Sequence, residues 1–325
     1  MELTSDLLRE KVGRLFVVRP EALVPGLKWT SDSELPSFGI TSVSDGMIRT
    51  AQRYPVGGIL LYGHNITGPQ QLSDFVRDLK ALPGNPRVYI DEEGGRVSRI
   101  SRNPSFDVPR FDSIASLGSD GDTGKVYAAG RAIGLYLKAF GIDVDFAPVA
   151  DVNTNPENVV IGDRAFSDDP RKAAPMVAAW LQGLQSAGVT GCLKHFPGHG
   201  DTREDTHTGF AVSRKNWEEM LSCEMLPFRA GIQAGAGMVM TAHIAAPAVT
   251  GNDLPATFSS VFLKDKLRGE LGFRGQIITD ALEMGAVSRR FSPAEAAVRA
   301  LKAGADLLLN PADLQEAFEA VMEIA

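Results

Sequence analysis

The chain has 325 residues, of which 44% are hydrophobic and 22% charged, and its formal net charge is −7. The length suits one large α/β domain or two average ones. The acidic balance, without any lysine- and arginine-rich run, argues against nucleic acid or an anionic membrane as a partner. The N-terminal sequence is charged and lacks the apolar region of a signal peptide, and no run of about 18 apolar residues occurs. The sequence therefore predicts a cytoplasmic protein without a transmembrane helix.

The two cysteines, Cys192 and Cys223, lie far apart and lack CxxC spacing. They predict neither a disulfide framework nor a zinc knuckle. We interpret both as small hydrophobic core residues.

Short apolar segments recur along the chain, separated by amphipathic stretches. Each is rich in valine, isoleucine and leucine, which is typical of strands buried on both faces. The eight predicted strands are 12–18, 57–62, 87–91, 142–149, 189–195, 237–243, 275–280 and 306–310.

The intervening stretches have helical periodicity. In 68–82, apolar residues recur at i, i+3, i+4 and i+7, as on the buried face of a helix. In 292–304, Ser292 is the expected N-cap, Pro293 occupies the first turn, and Gly304 follows the end. The other predicted helices are 123–141, 170–188 and 259–272.

Eightfold alternation of strand and helix predicts a (β/α)8 TIM-type barrel that occupies residues 1–325 as a single domain. A doubly wound open sheet is the alternative. No GxGxxG follows the first strand, which disfavours a dinucleotide-binding fold of that kind. The irregular segments 20–46 and 150–169 are interpreted as enlarged loops.

In such a barrel the active site lies at the carboxyl ends of the strands. Polar residues with catalytic potential cluster at these predicted ends, and all five histidines follow strands. The residues concerned are His64, Asp91, Asp151, Lys194, His195, His243, Asp280 and Asn310.

The segment KHFPGHGDTREDTHTGF (194–210) carries three histidines. Asp205 and His207 are two residues apart, so in an extended segment their side chains share one side. The carboxylate can then orient the imidazole, which titrates near neutral pH and can both give and take a proton. The spacing predicts a proton-transfer pair.

Asp280 ends an apolar strand, where a carboxylate is costly unless it is paired or functional. It could act as a nucleophile or stabilise an oxocarbenium-like transition state. Charged donors and acceptors suited to sugar hydroxyls are supplied by Asp91, Arg99, Arg164, Lys194 and His195.

Two other interpretations stay open. His195, His199 and His207, with Asp205, are of zinc-ligand type, which would fit a metal-dependent hydrolase, although HExxH spacing is lacking. A non-catalytic sugar-binding module would leave Asp280 without a task. His199 is interpreted as structural, no role is assigned to His64 or His243, and a local ion-pair network supporting Asp91 is expected from Glu92, Glu93 and Arg96.

Five segments, in order along the chain, resemble glycoside hydrolase family 3 and specifically its bacterial β-N-acetylglucosaminidases. They are DEEGGRVSR (91–99), DVDFAPVADV (143–152), IGDRAF (161–166), KHFPGHGDTREDTH (194–207) and ITDALEMG (278–285). The resemblance implies Asp280 as nucleophile, His207 as acid/base oriented by Asp205, and Asp91, Arg99, Arg164, Lys194 and His195 as sugar ligands.

The resemblance further implies a retaining exo-β-N-acetylglucosaminidase that needs no metal or cofactor. Its expected substrate is a small carbohydrate, either a GlcNAc-containing muropeptide such as GlcNAc-1,6-anhydro-MurNAc peptide or a chitooligosaccharide. The expected role is cytoplasmic peptidoglycan recycling, and the expected active species is a monomer or homodimer. The chain departs from the family pattern in two places: segment 21–43 is longer than in the short form of the family, and Ala281 stands where an acidic residue is usual.

Overall fold

A computed structural model describes residues 2–27, 39–202 and 210–325. Segment 28–38, within the long 21–43 stretch, and segment 203–209, which includes Asp205 and His207, lie outside the described residues. The strands of the main sheet are β1 (Phe16–Val18), β2 (Gly58–Leu61), β3 (Arg87–Ile90), β4 (Val144–Asp145), β5 (Thr190–Phe196), β6 (Met238–Thr241), β7 (Gln276–Ile278) and β8 (Leu308–Leu309).

The helices in the described part of the chain are α1 (Glu2–Gly13), α2 (Asp45–Arg53), α3 (Pro69–Lys80), α4 (Ile114–Gly118), α5 (Thr123–Ala139), α6 (Pro170–Ser186), α7 (Trp217–Ser222), α8 (Met225–Gln233), α9 (Pro247–Thr250), α10 (Gly285–Ser288), α11 (Pro293–Ala303) and α12 (Leu314–Met322). The predicted helix at 259–272 is a π-helix over Val261–Glu270. Short 3₁₀ turns cover Pro20–Leu23, Gly63–Asn65, Gly162–Arg164 and Ala256–Phe258.

The eight strands form one parallel sheet in the order β8-β1-β2-β3-β4-β5-β6-β7. A parallel bridge between Ile278 and Leu307, with Thr279 N donating to Leu307 O at 3.0 Å, joins β7 to the start of β8. The sheet therefore closes on itself. The predicted (β/α)8 barrel is confirmed, and the doubly wound open sheet is wrong.

Side chains alternate between the two faces of the barrel wall and build two cores. The larger core lies between the sheet and the helices and includes the fully buried Trp180. The smaller core fills the barrel interior with Val17, Leu60, Tyr89, Val144, Phe146, Cys192, Met238, Met240, Ile278, Leu307 and Leu309. The interior is thus solid, and a ligand can enter only at its mouth.

The helix predictions are confirmed in their main features. Leu72, Phe75, Val76 and Leu79 are all buried on α3. Ser292 caps α11 by accepting a hydrogen bond from Glu295 N, and Gly304 ends that helix at a φ of +118°, which favours glycine.

Two details differ from the sequence predictions. A small parallel pair, Ala211–Val212 with Ile244–Ala245, was not predicted because two residues are too few for a periodic pattern. Cys192 is buried inside the barrel as expected, whereas Cys223 is only half-buried because it lies at the end of the short α7. None of the described helices is long and apolar enough to cross a membrane.

Candidate active site

A cavity of about 410 Å³ opens at the carboxyl ends of the barrel strands. A larger crevice of about 560 Å³ lies beside α2 and the start of α12, but the buried charged groups of the barrel mouth converge on the smaller one. Its lining comprises Leu60, Tyr62, Asp91, Glu93, Val97, Arg99, Phe146, Val160, Arg164, Lys194, His195, His199, Met240, Asp280, Ala281, Met284 and Leu309.

Groups of alternating charge form one wall of this cavity, and two of them, Glu93 and Lys194, are buried. Lys194 Nζ lies 2.8 Å from Asp91 Oδ1 and 2.6 Å from Glu93 Oε1. Arg164 binds both carboxylate oxygens of Glu93, at 2.8 and 2.7 Å. Arg99 Nη2 reaches the other oxygen of Asp91 at 3.3 Å. The structure thus brings together four predicted sugar ligands through a fifth residue, Glu93.

The cluster fixes the ionisation of its members. Burial by itself would raise the pKa of Asp91 and of Glu93, but the neighbouring cations, Lys194 foremost, outweigh it and hold both carboxyl pKa values below their usual range. Burial would lower the pKa of Lys194, but the two carboxylates raise it. All three groups are therefore charged at neutral pH.

The backbone around DEEGGR explains why Glu93 reaches the site. Gly94 and Gly95 both have positive φ, +84° and +66°, where a side chain would be strained. This turn lets Glu93 N donate to Val97 O at 2.9 Å and returns the chain towards Arg99. A side chain at either glycine would strain the turn that positions Glu93.

The predicted network of Glu92, Glu93 and Arg96 around Asp91 is wrong in its partners, because only Glu93 joins the cluster. Glu92 is fully buried and accepts hydrogen bonds from the backbone of 99–101. Arg96 donates to the carbonyls of 159–161 and pairs with Asp163 at 2.8 Å. It therefore holds the loop that carries Arg164.

Lys194 and His195 are consecutive, yet both line the cavity. Consecutive strand residues normally face opposite sides, but the register between β5 and β6 shifts between Leu193 and Phe196. Asp151 holds the ring of His195 through Nδ1 at 2.7 Å and also accepts from His199 N at 2.6 Å. The structure thus assigns Asp151 a supporting role that the sequence did not specify.

His199 lines the cavity but is also tied to its own loop. Its Nδ1 lies 2.7 Å from Thr202 Oγ1, and its carbonyl accepts from Asn158 Nδ2 at 2.7 Å. The rings of His195 and His199 are 6.1 Å apart. Among the described residues, no group of three or more histidine, cysteine or acidic side chains could hold a metal. Because His207 and Asp205 lie outside those residues, the proton-transfer pair and the metal alternative both stay predictions.

Asp280 follows β7 and lines the cavity, half-buried. Its Oδ1 accepts a hydrogen bond from Ala281 N at 2.8 Å. The next helix, α10, begins only at Gly285, with Met284 as its N-cap. Asp280 is therefore not a helix cap, and capping does not explain why its carboxylate faces the cavity.

Besides Asp151, three predicted strand-end residues lie outside the cavity lining. His243 bonds Thr257 and the backbone of Ala281. His64 stacks on Tyr62, with ring centroids 5.6 Å apart, and Asn310 Nδ2 donates to the Tyr62 hydroxyl at 2.8 Å. Tyr62 itself lines the cavity and was missed, although an aromatic residue at the end of a predicted strand is a usable signal.

Residues 7–325 match the N-terminal domain of glycosyl hydrolase family 3. The chain belongs to this family. It is 35% identical to β-hexosaminidase A of Pseudoalteromonas piscicida over 87% of the chain and 51% of that protein, and 38% identical to a β-hexosaminidase of Stenotrophomonas maltophilia (strain K279a) over 83% of the chain and 81% of that protein. The chain thus spans about half of the first relative and four fifths of the second.

Solved structures agree. A family 3 β-N-acetylglucosaminidase of Paenibacillus sp. str. FPU-7 matches with a TM-score of 0.86 and 36% identity, over 98% of this chain and 58% of that one. NagZ of Neisseria gonorrhoeae in complex with N-trifluoroacetyl-D-glucosamine matches with a TM-score of 0.78 and 28% identity, over 94% and 84%. The predicted family is confirmed.

Proposed function

We propose that this protein is a retaining exo-β-N-acetylglucosaminidase that removes terminal β-linked GlcNAc from peptidoglycan fragments. One observation carries the proposal: the Asp280 carboxylate shares a cavity with the buried cluster of Asp91, Glu93, Lys194 and Arg164. The names of the relatives, and the complex of one structural neighbour with an N-acylated glucosamine, support the sugar class.

The cluster suits a pyranose. Charged groups make stronger hydrogen bonds to hydroxyls than neutral groups do. Because each charge is already neutralised by a neighbour, a neutral sugar can bind without uncompensated charge being left behind. We assign binding of the GlcNAc hydroxyls to Asp91, Arg99, Arg164, Lys194 and His195, with Glu93 holding two of the cations in place.

The proposed reaction has two displacements. Asp280 attacks the anomeric carbon while the bond to the leaving oxygen breaks, and His207 gives that oxygen a proton. Water then attacks the anomeric carbon and passes a proton to His207, while the bond to Asp280 breaks. The product keeps the β configuration. Asp205 orients His207 throughout; both assignments rest on the family resemblance.

For the natural aglycone we propose 1,6-anhydro-MurNAc peptide, with the cytoplasm as compartment and a monomer or homodimer as the active species. We also propose that residues 1–325 act as one catalytic domain. These finer assignments rest on the resemblance to the recycling enzymes of the family.

The test uses the purified protein and aryl glycosides. Hydrolysis of aryl β-GlcNAc, with the β-glucoside much poorer and β-GlcNAc seen first by proton NMR, is the expected result. GlcNAc-1,6-anhydro-MurNAc peptide should be cleaved with higher kcat/KM than chitobiose. A first product in the α configuration would refute the double displacement, and a preference for chitobiose would refute the aglycone.

The same experiment separates the two alternatives. A sugar-binding module would bind GlcNAc without cleaving any glycoside. A metal-dependent hydrolase would lose its activity after dialysis against EDTA and regain it with added zinc. Undiminished activity after chelation is the expected result.

A further inference from the structure

His243 is a buried histidine that the proposed reaction does not use. It follows β6 at the barrel mouth, is 6% exposed, and does not line the cavity. Both ring nitrogens have partners: Nδ1 lies 2.9 Å from Thr257 Oγ1, and Nε2 lies 3.0 Å from the carbonyl oxygen of Ala281. The second contact ties the ring to the residue that follows Asp280.

The backbone after Asp280 is held from two sides of the barrel. The peptide unit that joins Ala281 to Leu282 has its carbonyl bound by His243 and its N–H bound by Leu309 O at 2.9 Å. The first contact comes from the end of β6 and the second from β8. The N–H of Ala281, in turn, donates to Asp280 Oδ1 at 2.8 Å. This hydrogen bond links the position of Ala281 to the orientation of the carboxylate.

We propose that His243 is a positioning residue that fixes the Ala281–Leu282 peptide and thereby aims the Asp280 carboxylate at the anomeric carbon. The inference rests on the proposed role of Asp280 as nucleophile. It accounts for a buried polar ring beside the active site, because the Ala281 carbonyl would otherwise lack this hydrogen-bond donor.

The hydrogen bond to Ala281 does not depend on the charge of the ring. A carbonyl only accepts, so Nε2 must carry a proton. Burial lowers the pKa of His243, which favours the neutral ring, and Nδ1 then accepts from the Thr257 hydroxyl. In a charged ring Nδ1 would donate to Thr257, whose proton could turn to Ala242 O, 3.0 Å away. In either protonation state of the ring, Nε2–H donates to the carbonyl oxygen of Ala281.

Two His243 variants form a matched pair. His243→Leu removes the donor and keeps much of the volume, whereas His243→Gln can still donate from its side-chain amide. We expect kcat on aryl β-GlcNAc to fall about 10- to 100-fold in His243→Leu, because small misplacements of reacting groups cost this much. His243→Gln should recover most of this loss. GlcNAc affinity, measured by calorimetry, should change less than about threefold because the binding cluster is untouched.

The dependence on leaving group distinguishes this role from acid catalysis. A misaimed nucleophile slows the glycosylation step for every aryl leaving group by a similar factor. If His243→Leu keeps kcat within about twofold, or loses GlcNAc affinity in parallel with kcat, the proposal is wrong. Thr257→Val serves as a second probe, since it spares the ring and should lower kcat less, in the same direction.

One readout needs no activity. Nitrogen-15 NMR of the histidine side chains, with His243 assigned from its loss in His243→Gln, should show Nε2 protonated from pH 5 to 8. A neutral ring protonated on Nδ1 would overturn the proposal even in an active enzyme. Absence of any glycoside cleavage by the wild type would instead refute the proposed function and leave the hydrogen bond to be judged by NMR.

Discussion

Arg164 donates two parallel hydrogen bonds to the carboxylate of Glu93, from Nε to Oε2 at 2.8 Å and from Nη2 to Oε1 at 2.7 Å. Glu93 follows β3 and Arg164 lies in the loop after β4, so the pair ties two neighbouring loops together. Lys194 of β5 adds a third contact to the same carboxylate. The geometry of this charged cavity wall therefore depends on Glu93, which is not among the proposed sugar ligands.

Arg164→Lys tests the paired geometry rather than the charge. Lysine keeps the positive charge but cannot bind both carboxylate oxygens in one plane. We expect KM for aryl β-GlcNAc to rise about tenfold while kcat changes less, because ground-state and transition-state binding are lost together. Arg131→Lys, on the exposed face of α5, is the control and should behave as the wild type. Equal kinetics of the two variants would contradict the role of Arg164.

Glu93→Gln should change how stability depends on pH. The pKa of Glu93 is lowered in the folded protein. Its charge therefore contributes to stability at a pH above the pKa of the unfolded state, about 4.3. This stability is lost as the pH falls through the pKa of the folded state. At pH 7 the variant should lose about 3 kcal/mol of unfolding free energy, because Lys194 and Arg164 lose a buried partner.

Urea unfolding at pH 7, 5, 4 and 3 measures this effect. The unfolding free energies of the wild type and of Glu93→Gln should converge as the pH falls. Protonation of Glu93 removes its negative charge in the wild type, and the variant lacks that charge at every pH. The exposed Glu323→Gln is the control and should stay parallel to the wild type. Parallel curves for Glu93→Gln would show that the carboxylate carries no such stability.

His207→Ala should affect substrates according to their leaving group. Proton donation contributes about 10²- to 10⁴-fold where the leaving oxygen is a poor leaving group. We expect kcat/KM to fall by that factor for an alkyl or disaccharide substrate and far less for a dinitrophenyl glycoside. Asp205→Asn should show the same trend with smaller losses. Equal losses on both substrates would remove His207 from the role of general acid.

Much of this architecture could be predicted because it follows from local patterns. Runs of apolar residues mark the strands, and Ser292, Pro293 and Gly304 mark the ends of α11. The barrel then dictates that Asp91, Lys194 and Asp280 meet at one mouth. Local patterns of this kind are reliable wherever burial alone selects the residue.

The features that the sequence did not predict depend on contacts between residues that are distant in sequence. Glu93 could not be separated from Glu92, because only the paired glycine turn decides which side chain faces the cavity. Arg96 reaches a loop more than sixty residues away. His243 follows a strand, as the proposed nucleophile Asp280 does, yet its ring turns towards a backbone carbonyl. The direction in which a loop side chain points is set by tertiary hydrogen bonds, and no periodic pattern in the sequence indicates these bonds.

Ala281→Asp tests how the chain departs from the usual family pattern beside Asp280, the proposed nucleophile. Ala281 lines the cavity, and its N–H donates to Asp280. A second carboxylate there would make ionisation of Asp280 more costly, since like charges at short distance disfavour each other. The acid limb of the kcat/KM profile should therefore move to higher pH, by about one pH unit.

Ala281→Asn, which is similar in size and uncharged, separates charge from bulk. Its acid limb should stay where the wild-type limb lies, even if its activity at the optimum is lower. Because repulsion between charges is screened by ions, the shift in Ala281→Asp should shrink between 10 mM and 1 M salt. Two results would contradict this explanation: an acid limb that moves equally in both variants, or a shift that does not change with salt concentration. Either would mean that Ala281 matters for packing against the barrel interior and not for the charge of Asp280.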